Sequence, residues 1–195
     1  MKAAFALLAD YETHNAVRKL TWRMFQRHGI SLDICRLPPH VSLKQPFDIP
    51  DVALLESYVT ELAGSLSPVT IRLTELQLIE AAGIKETSGI LWLKAEQSPE
   101  LCQLHERLNK ELASRFSNTQ ADFDGSDYQF HLTLSIGKPF SVYHKAYQEF
   151  REAFAEIRFQ AHSLALFAYD GKSGLETEYI SYKFLPLGKE QETMC

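Results

Sequence analysis

Apolar residues recur at helical spacing in four stretches of the chain. Val52, Leu55, Val59, Leu62 and Leu66 form one stripe behind Pro50-Asp51, a helix-start signal. Leu101, Leu104, Leu108 and Leu112 form a second behind Ser98-Pro99, where a serine N-cap precedes proline at the first helical position. Val17, Leu20 and Met24 mark a third, opening near Asp10 or Thr13, and Tyr143, Tyr147, Phe150 and Phe154 mark a fourth after Ser141. Each stripe predicts the core-facing side of an amphipathic helix. Between them, runs at 3–8, 69–79, 90–95, 131–136, 157–168 and 178–185 predict strands, several alternating with period two. The polar, acidic stretch Asn118 to Asp127 is expected to be a loosely held loop, and residues 189–195 a flexible tail. No segment is rich enough in Pro, Gly or Ser to separate independent domains, so one domain over 1–195 is expected.

The pattern repeats within the chain. Residues 40 to 47 read H-V-S-L-K-Q-P-F and residues 131 to 140 read H-L-T-L-S-I-G-K-P-F. Each copy follows a strand and a helix and leads into another helix and strand, the last opening Ile71-Arg72-Leu73 in one copy and Ile157-Arg158-Phe159 in the other. Two copies are too few for a solenoid. They predict an α+β, bilobal, duplicated fold: two lobes facing one another across a pseudo-twofold axis.

On a strand, residues two apart project to the same face. His40, Ser42 and Lys44 are therefore expected on one face and Val41 and Leu43 on the other. His131, Thr133 and Ser135 are expected on one face of the second copy, with Leu132, Leu134 and Ile136 behind them. If the apolar sets pack beneath the helices, the polar faces converge on one cleft holding two imidazoles and two hydroxyls. That set fits a phosphodiester. One imidazole can accept a proton from the attacking water or hydroxyl while the other protonates the leaving oxygen. Ser42 and Thr133 can donate to the non-bridging oxygens, with Lys44 as a further contact to substrate. This chemistry calls for no metal and no cofactor. His14, His28, His105, His144 and His162 lack matching partners and are expected at the surface or core edge. Phe47, Phe140, Tyr11 and Tyr128 are the aromatic candidates for stacking on a base, with core packing the simpler role for each.

Composition narrows the class of partner. The 195 residues carry 20 Lys+Arg against 25 Asp+Glu, a net charge of −5, which disfavours long nucleic-acid duplexes. The charge is uneven: residues 18 to 44 hold Arg18, Lys19, Arg23, Arg27, Arg36 and Lys44 against Asp33 alone, so this stretch is +5 and the remainder −10. A short RNA end or a nucleotide fits that distribution. No apolar run approaches the ~18–20 residues of a membrane-spanning helix, and the N-terminal apolar segment is too short for a secretory signal. A cytoplasmic monomer that does not engage membranes is expected. Cys35, Cys102 and Cys195 are widely spaced, with no C-x-x-C pair to suggest a zinc or redox site.

The paired elements His40-Val41-Ser42 and His131-Leu132-Thr133, 91 residues apart, resemble the signature of the two-histidine phosphoesterase superfamily. Pro39-His40-Val41-Ser42-Leu43-Lys44 is similar to the first motif of its 2′-5′ RNA ligase and cyclic phosphodiesterase branch. Lys44-Gln45-Pro46-Phe47 departs from the Lys-Phe-Leu-Gly continuation of that branch. The resemblance implies two antiparallel sheets lining a central cleft with helices outside. It also implies metal-independent action on 2′,3′-cyclic or 2′-5′ phosphodiester bonds of RNA ends or nucleotides. His40 and His131 would be the catalytic residues, and Ser42 and Thr133 would hold the phosphate. An RNA-end or nucleotide binding protein with little turnover, and a ligase running the same chemistry in reverse, are the alternatives.

Overall fold

The computed structural model describes residues 1–81, 88–169 and 179–188. The expected tail at 189–195, with Cys195, lies outside the described residues. Strand β1 (Lys2–Leu8) leads into helix α1 (Tyr11–His28), a 3₁₀ turn (Asp33–Arg36), and the short strands β2 (His40–Ser42) and β3 (Phe47–Asp48). A second 3₁₀ turn (Val52–Leu55) runs into α2 (Glu56–Ser65), followed by β4 (Val69–Ala81). The second half comprises β5 (Ser88–Ala95), α3 (Pro99–Arg115), β6 (His131–Pro139), α4 (Phe140–Phe150), β7 (Ile157–Ala161), β8 (Ser163–Tyr169) and β9 (Tyr179–Pro186).

The helix ends follow their cap chemistry. Asp10 accepts from the Thr13 amide at 2.8 Å and Ser98 from the Leu101 amide at 3.2 Å, satisfying donors that the first turn leaves without a partner. Gly29, at φ 65°, closes α1 in the left-handed region, and its amide donates to the Phe25 carbonyl at 2.8 Å.

Two antiparallel sheets result. The first has the order β2-β1-β8-β9 with β3 also on β1, and the second has the order β6-β5-β4-β7. Each half of the sequence lends strands to the other's sheet: β4 lies beside β5, and β8, with β9 outside it, lies beside β1. The run 157–168, expected as one strand, is therefore two. β7 alternates in burial beside β4, the chain breaks at His162, and β8, buried on both faces except at its ends, crosses to the first sheet. The repeat-equivalent triplets Ile71-Arg72-Leu73 and Ile157-Arg158-Phe159 pair antiparallel about Arg72 and Arg158, as a pseudo-twofold axis between the lobes requires.

A continuous apolar core joins both sheets to all four helices, with Phe5, Leu7, Met24, Leu62, Leu91, Leu108, Leu132 and Tyr143 among its members. A smaller cluster of Ala4, Ala6, Leu37, Ala165 and Phe167 covers the opposite face of the first sheet. Gly89 sits where β5 passes beneath Tyr143, and a Cβ added there would stand 2.5 Å from the Tyr143 ring. That ring is held through its hydroxyl, which hydrogen-bonds Ser135 and accepts from the Lys138 amide, so it cannot swing aside freely. Gly89→Ala is expected to lower unfolding stability by about 1–3 kcal/mol, read as a reduced urea midpoint at unchanged slope.

Candidate active site

β2 and β6 are the edge strands of their sheets, and their Cα atoms come within 8 Å of each other. Each exposes its histidine for the same reason. Val41 and Leu43 are fully buried, and so are Leu132 and Leu134. The pleat therefore turns His40 and Ser42, and His131 and Thr133, to the other face, where all four are half-buried.

The correspondence extends to individual hydrogen bonds. His40 pairs with Leu8 and Ser42 with Ala6 on β1, while His131 pairs with Lys94 and Thr133 with Trp92 on β5. The carbonyl preceding each histidine, of Pro39 and of Phe130, accepts from Ala9 and from Ala95 at 3.0 and 2.9 Å. Each imidazole Nδ1 lies against the carbonyl two residues earlier, Pro38 at 2.8 Å and Gln129 at 2.7 Å. A carbonyl only accepts, so both rings carry the proton on Nδ1 when neutral and present Nε2 as a lone pair. Among the described residues neither Nε2 has a hydrogen-bond partner, and neither do the hydroxyls of Ser42 and Thr133.

The rings differ in what supports them. His40 meets the edge of Phe167 at 4.7 Å between centroids, over the small apolar cluster of the first sheet. His131 stacks on Trp92 at 4.0 Å and 26°. The Trp92 indole N–H donates to Gln77 at 2.9 Å, and the Gln77 amide donates to Glu75 at 2.8 Å. Trp92, Phe167 and Gln77 do not stand out in the sequence. Period-two alternation in 90–95 places Trp92 and Lys94 on one face, but only the register of β5 on β6 brings that face to His131.

Residues 11–173 match the family model of the 2′-5′ RNA ligase superfamily. The chain belongs to that superfamily. A relative from Geobacillus sp. (strain WCH70), named as a phosphoesterase, is 29% identical over 163 residues, which span 80% of this chain and 83% of the relative. A Bacillus cereus (strain G9842) relative with the same designation is 31% identical over 106 residues, 52% of this chain and 53% of its own. Among solved structures, a Thermus thermophilus protein superposes with a TM-score of 0.64 at 16% identity, covering 97% of this chain and all of its own. E. coli LigT, crystallised with 3′-AMP, gives 0.51 at 19% identity over 96% of this chain and 98% of LigT. These likenesses establish a shared two-sheet fold.

In this member of the 2′-5′ RNA ligase superfamily, Lys44 is not a cleft residue. β2 ends at Ser42, so the alternation that would align Lys44 with His40 stops short of it. Its ammonium is buried, ion-paired with Asp124 and hydrogen-bonded to Asn109 at 2.6 Å. The other Asp124 oxygen accepts from the Gln45 amide at 3.2 Å. His105, expected at the surface or core edge, is buried beside this pair. Its Nδ1 meets the Leu43 carbonyl at 2.7 Å, its Nε2 accepts from the Gly125 amide at 3.0 Å, and its ring stacks on Tyr128 at 4.3 Å. The Tyr128 hydroxyl donates to the Ser42 carbonyl at 3.1 Å. The loop 118–127, expected to be loosely held, is thus tied at Asp124 and Gly125 and secures the backbone of the first motif.

Other expectations change for related reasons. Ser135 does not share the His131 face. β6 bulges at Leu134, which turns Ser135 inward to bond the Ser31 carbonyl at 2.6 Å and the Tyr143 hydroxyl at 3.0 Å. Phe47 and Tyr128 are buried and cannot stack on a base. Phe140 is half-buried against His144, and Tyr11 is exposed at the start of α1.

Burial is the main force on both imidazoles, and it disfavours the charged form. His40 is pushed down to about 4, first by desolvation and then by the neighbouring charges of His131 and Arg18, against the opposing Pro38 hydrogen bond. His131 is lowered by desolvation and partly restored by its bond to Gln129. Among the described residues no cluster of three His, Cys, Asp or Glu is placed to hold a metal ion.

Two outcomes follow from these placements. Lys44→Met strands the largely buried Asp124 carboxylate and is expected to cost about 3 kcal/mol in urea unfolding, whereas Lys44→Met with Asp124→Leu recovers most of that loss. The His40 shift makes the unfolded chain bind more protons than the folded chain between pH 4 and 6.5, so stability is full above 6.5 and lost as pH falls through that window. Urea unfolding across pH 5 to 6.5 should show stability rising with pH, with a shallower slope in His40→Gln.

Proposed function

We propose that this protein is a metal-independent phosphodiesterase that opens 2′,3′-cyclic phosphate ends of RNA or nucleotides. The reading rests on one observation: two imidazoles on facing edge strands, each anchored through Nδ1, each followed two residues later by a hydroxyl on the same face. Such a set supplies both proton transfers and the phosphate donors from protein groups alone. The crystallised complex of the structural neighbour LigT with 3′-AMP is in keeping with a nucleotide ligand.

The roles follow from the different surroundings. His40 lies against Phe167 and close to Arg18, so it resists a positive charge and is the base. His131 lies flat on the face of Trp92, where the indole π-system favours an imidazolium, so it is the acid. His40 Nε2 takes a proton from water as the water oxygen bonds to phosphorus. The phosphorus–oxygen bond to one ribose oxygen breaks, and His131 Nε2–H protonates that oxygen. A phosphate monoester and a free hydroxyl result. Ser42 and Thr133 donate to the non-bridging oxygens as negative charge builds there. A bound phosphate anion offsets the desolvation that keeps both rings neutral, so the substrate itself recruits the proton that His131 delivers.

Hydrolysis of nucleoside 2′,3′-cyclic phosphates should proceed in excess EDTA and fall by ~10²–10⁴ in each of His40→Ala and His131→Ala. Rates unchanged in either variant would contradict these roles. Binding of a cyclic nucleotide by the wild-type protein without turnover would favour a binding protein.

A further inference from the structure

We propose that the outward face of α1 is a track for single-stranded RNA, carrying the strand that leads to the cleft. This deepens the phosphodiesterase reading, on which it rests, by committing the substrate to an RNA end rather than a free nucleotide.

Tyr11, Arg18, Trp22 and Phe25 share one stripe of α1, spaced seven, four and three residues apart. The stripe meets the surroundings of His40 at Arg18. The Arg18 guanidinium donates to the carbonyls of Cys35 and Leu37, and Leu37 belongs to the apolar cluster with Phe167, on which His40 rests. Arg18 also adds to the positive field at His40. One and two turns farther along, Trp22 and Phe25 are 50% and 38% exposed, with ring centroids 5.3 Å apart and planes inclined by 31°. Burial does not explain a tryptophan and a phenylalanine side by side on a solvated helix face, because the core-facing residues of α1 are Thr13, Val17, Thr21 and Met24. Nucleobases stack on such rings with little regard to sequence.

The flanking charge identifies the partner. Lys19 and Arg23 are exposed beside this stripe, with no carboxylate partner among the described residues. Two cations of the basic stretch are already committed elsewhere, Lys44 to Asp124 and Arg27 to Glu149. Lys19 and Arg23 remain available for phosphates on a chain whose net charge is −5. By the helical rise of 1.5 Å per residue, the stripe from Tyr11 to Phe25 is about 21 Å long, enough to follow several nucleotides of an extended strand.

The test is fluorescence anisotropy with a 5′-fluorescein hexauridylate bearing a 3′-phosphate, run beside hydrolysis of 2′,3′-cyclic UMP. Trp22→Ala and Phe25→Ala should each weaken hexamer binding about ten-fold, with hydrolysis of the mononucleotide unchanged and binding restored by Trp22→Phe. Lys19→Ala with Arg23→Ala should reduce the slope of log affinity against log salt by about 1.4, two single-strand phosphate contacts. Hexamer affinity indifferent to all four substitutions, or no wild-type binding at 50 mM salt, would overturn the proposal. So would a dimer in sedimentation that Trp22→Ala converts to monomer without affecting RNA. If cyclic UMP is inert while hexamer binding still depends on Trp22 and Phe25, the phosphodiesterase reading fails and the RNA track stands.

Discussion

Four buried aliphatic side chains determine where the chemistry can be. Val41 in one edge strand with Leu43 just past its end, and Leu132 and Leu134 in the other, are inserted into a continuous core. Because a strand alternates its side chains, their burial obliges His40 with Ser42 and His131 with Thr133 to face the other way. A one-residue slip of either strand would bury an imidazole and expose a leucine, so the hydrophobic effect that holds the register also aims the candidate catalytic groups. The strand exchange between sheets, β4 into one and β8 into the other, makes each lobe's support part of the other's core. The cleft is therefore held from both sides by burial.

On that symmetrical frame the side chains are asymmetric. One imidazole leans on an apolar floor of alanines and Phe167, while the other is stacked on an indole whose N–H is secured by Gln77. Identical backbone anchoring sets the same tautomer in both rings, and unequal neighbours separate their affinities for a proton. A duplicated fold thereby supplies a matched pair of groups, and divergence in the neighbouring strands gives them different surroundings. The Lys44–Asp124 pair and the His105 clamp serve the first motif alone. β2 has only three residues, whereas β6 has nine with which to hold its own register. The short strand is secured from outside by the 118–127 loop.

Much of this was legible in the chain because it depends on local periodicity. The four helices, the paired motifs and the faces of His40, Ser42, His131 and Thr133 follow from spacings of two, three and four residues. What was not legible depends on register and on long-range partners. The bulge at Leu134 that turns Ser135 inward leaves no mark in the H-L-T-L-S alternation. Lys44 reads as a cleft residue until β2 is seen to end at Ser42 and Asp124, 80 residues away, is found beside it. The break at His162 does have a signature, the change from alternating Ile157–Ala161 to the almost continuously apolar run of β8, but which sheet each half joins is a tertiary matter. Trp92 becomes informative only through its cross-strand partner.

If the two lobes share one reaction centre, the Nε2 atoms of His40 and His131 address a single anion. Long-range ¹⁵N–¹H correlation of the imidazole nitrogens, recorded across pH with and without 3′-UMP, tests this most directly. Both rings should be Nδ1–H tautomers in the free protein, and the nucleotide should raise the protonation midpoints of both together. An Nε2–H tautomer in either ring, or a nucleotide response confined to one histidine, would contradict the account.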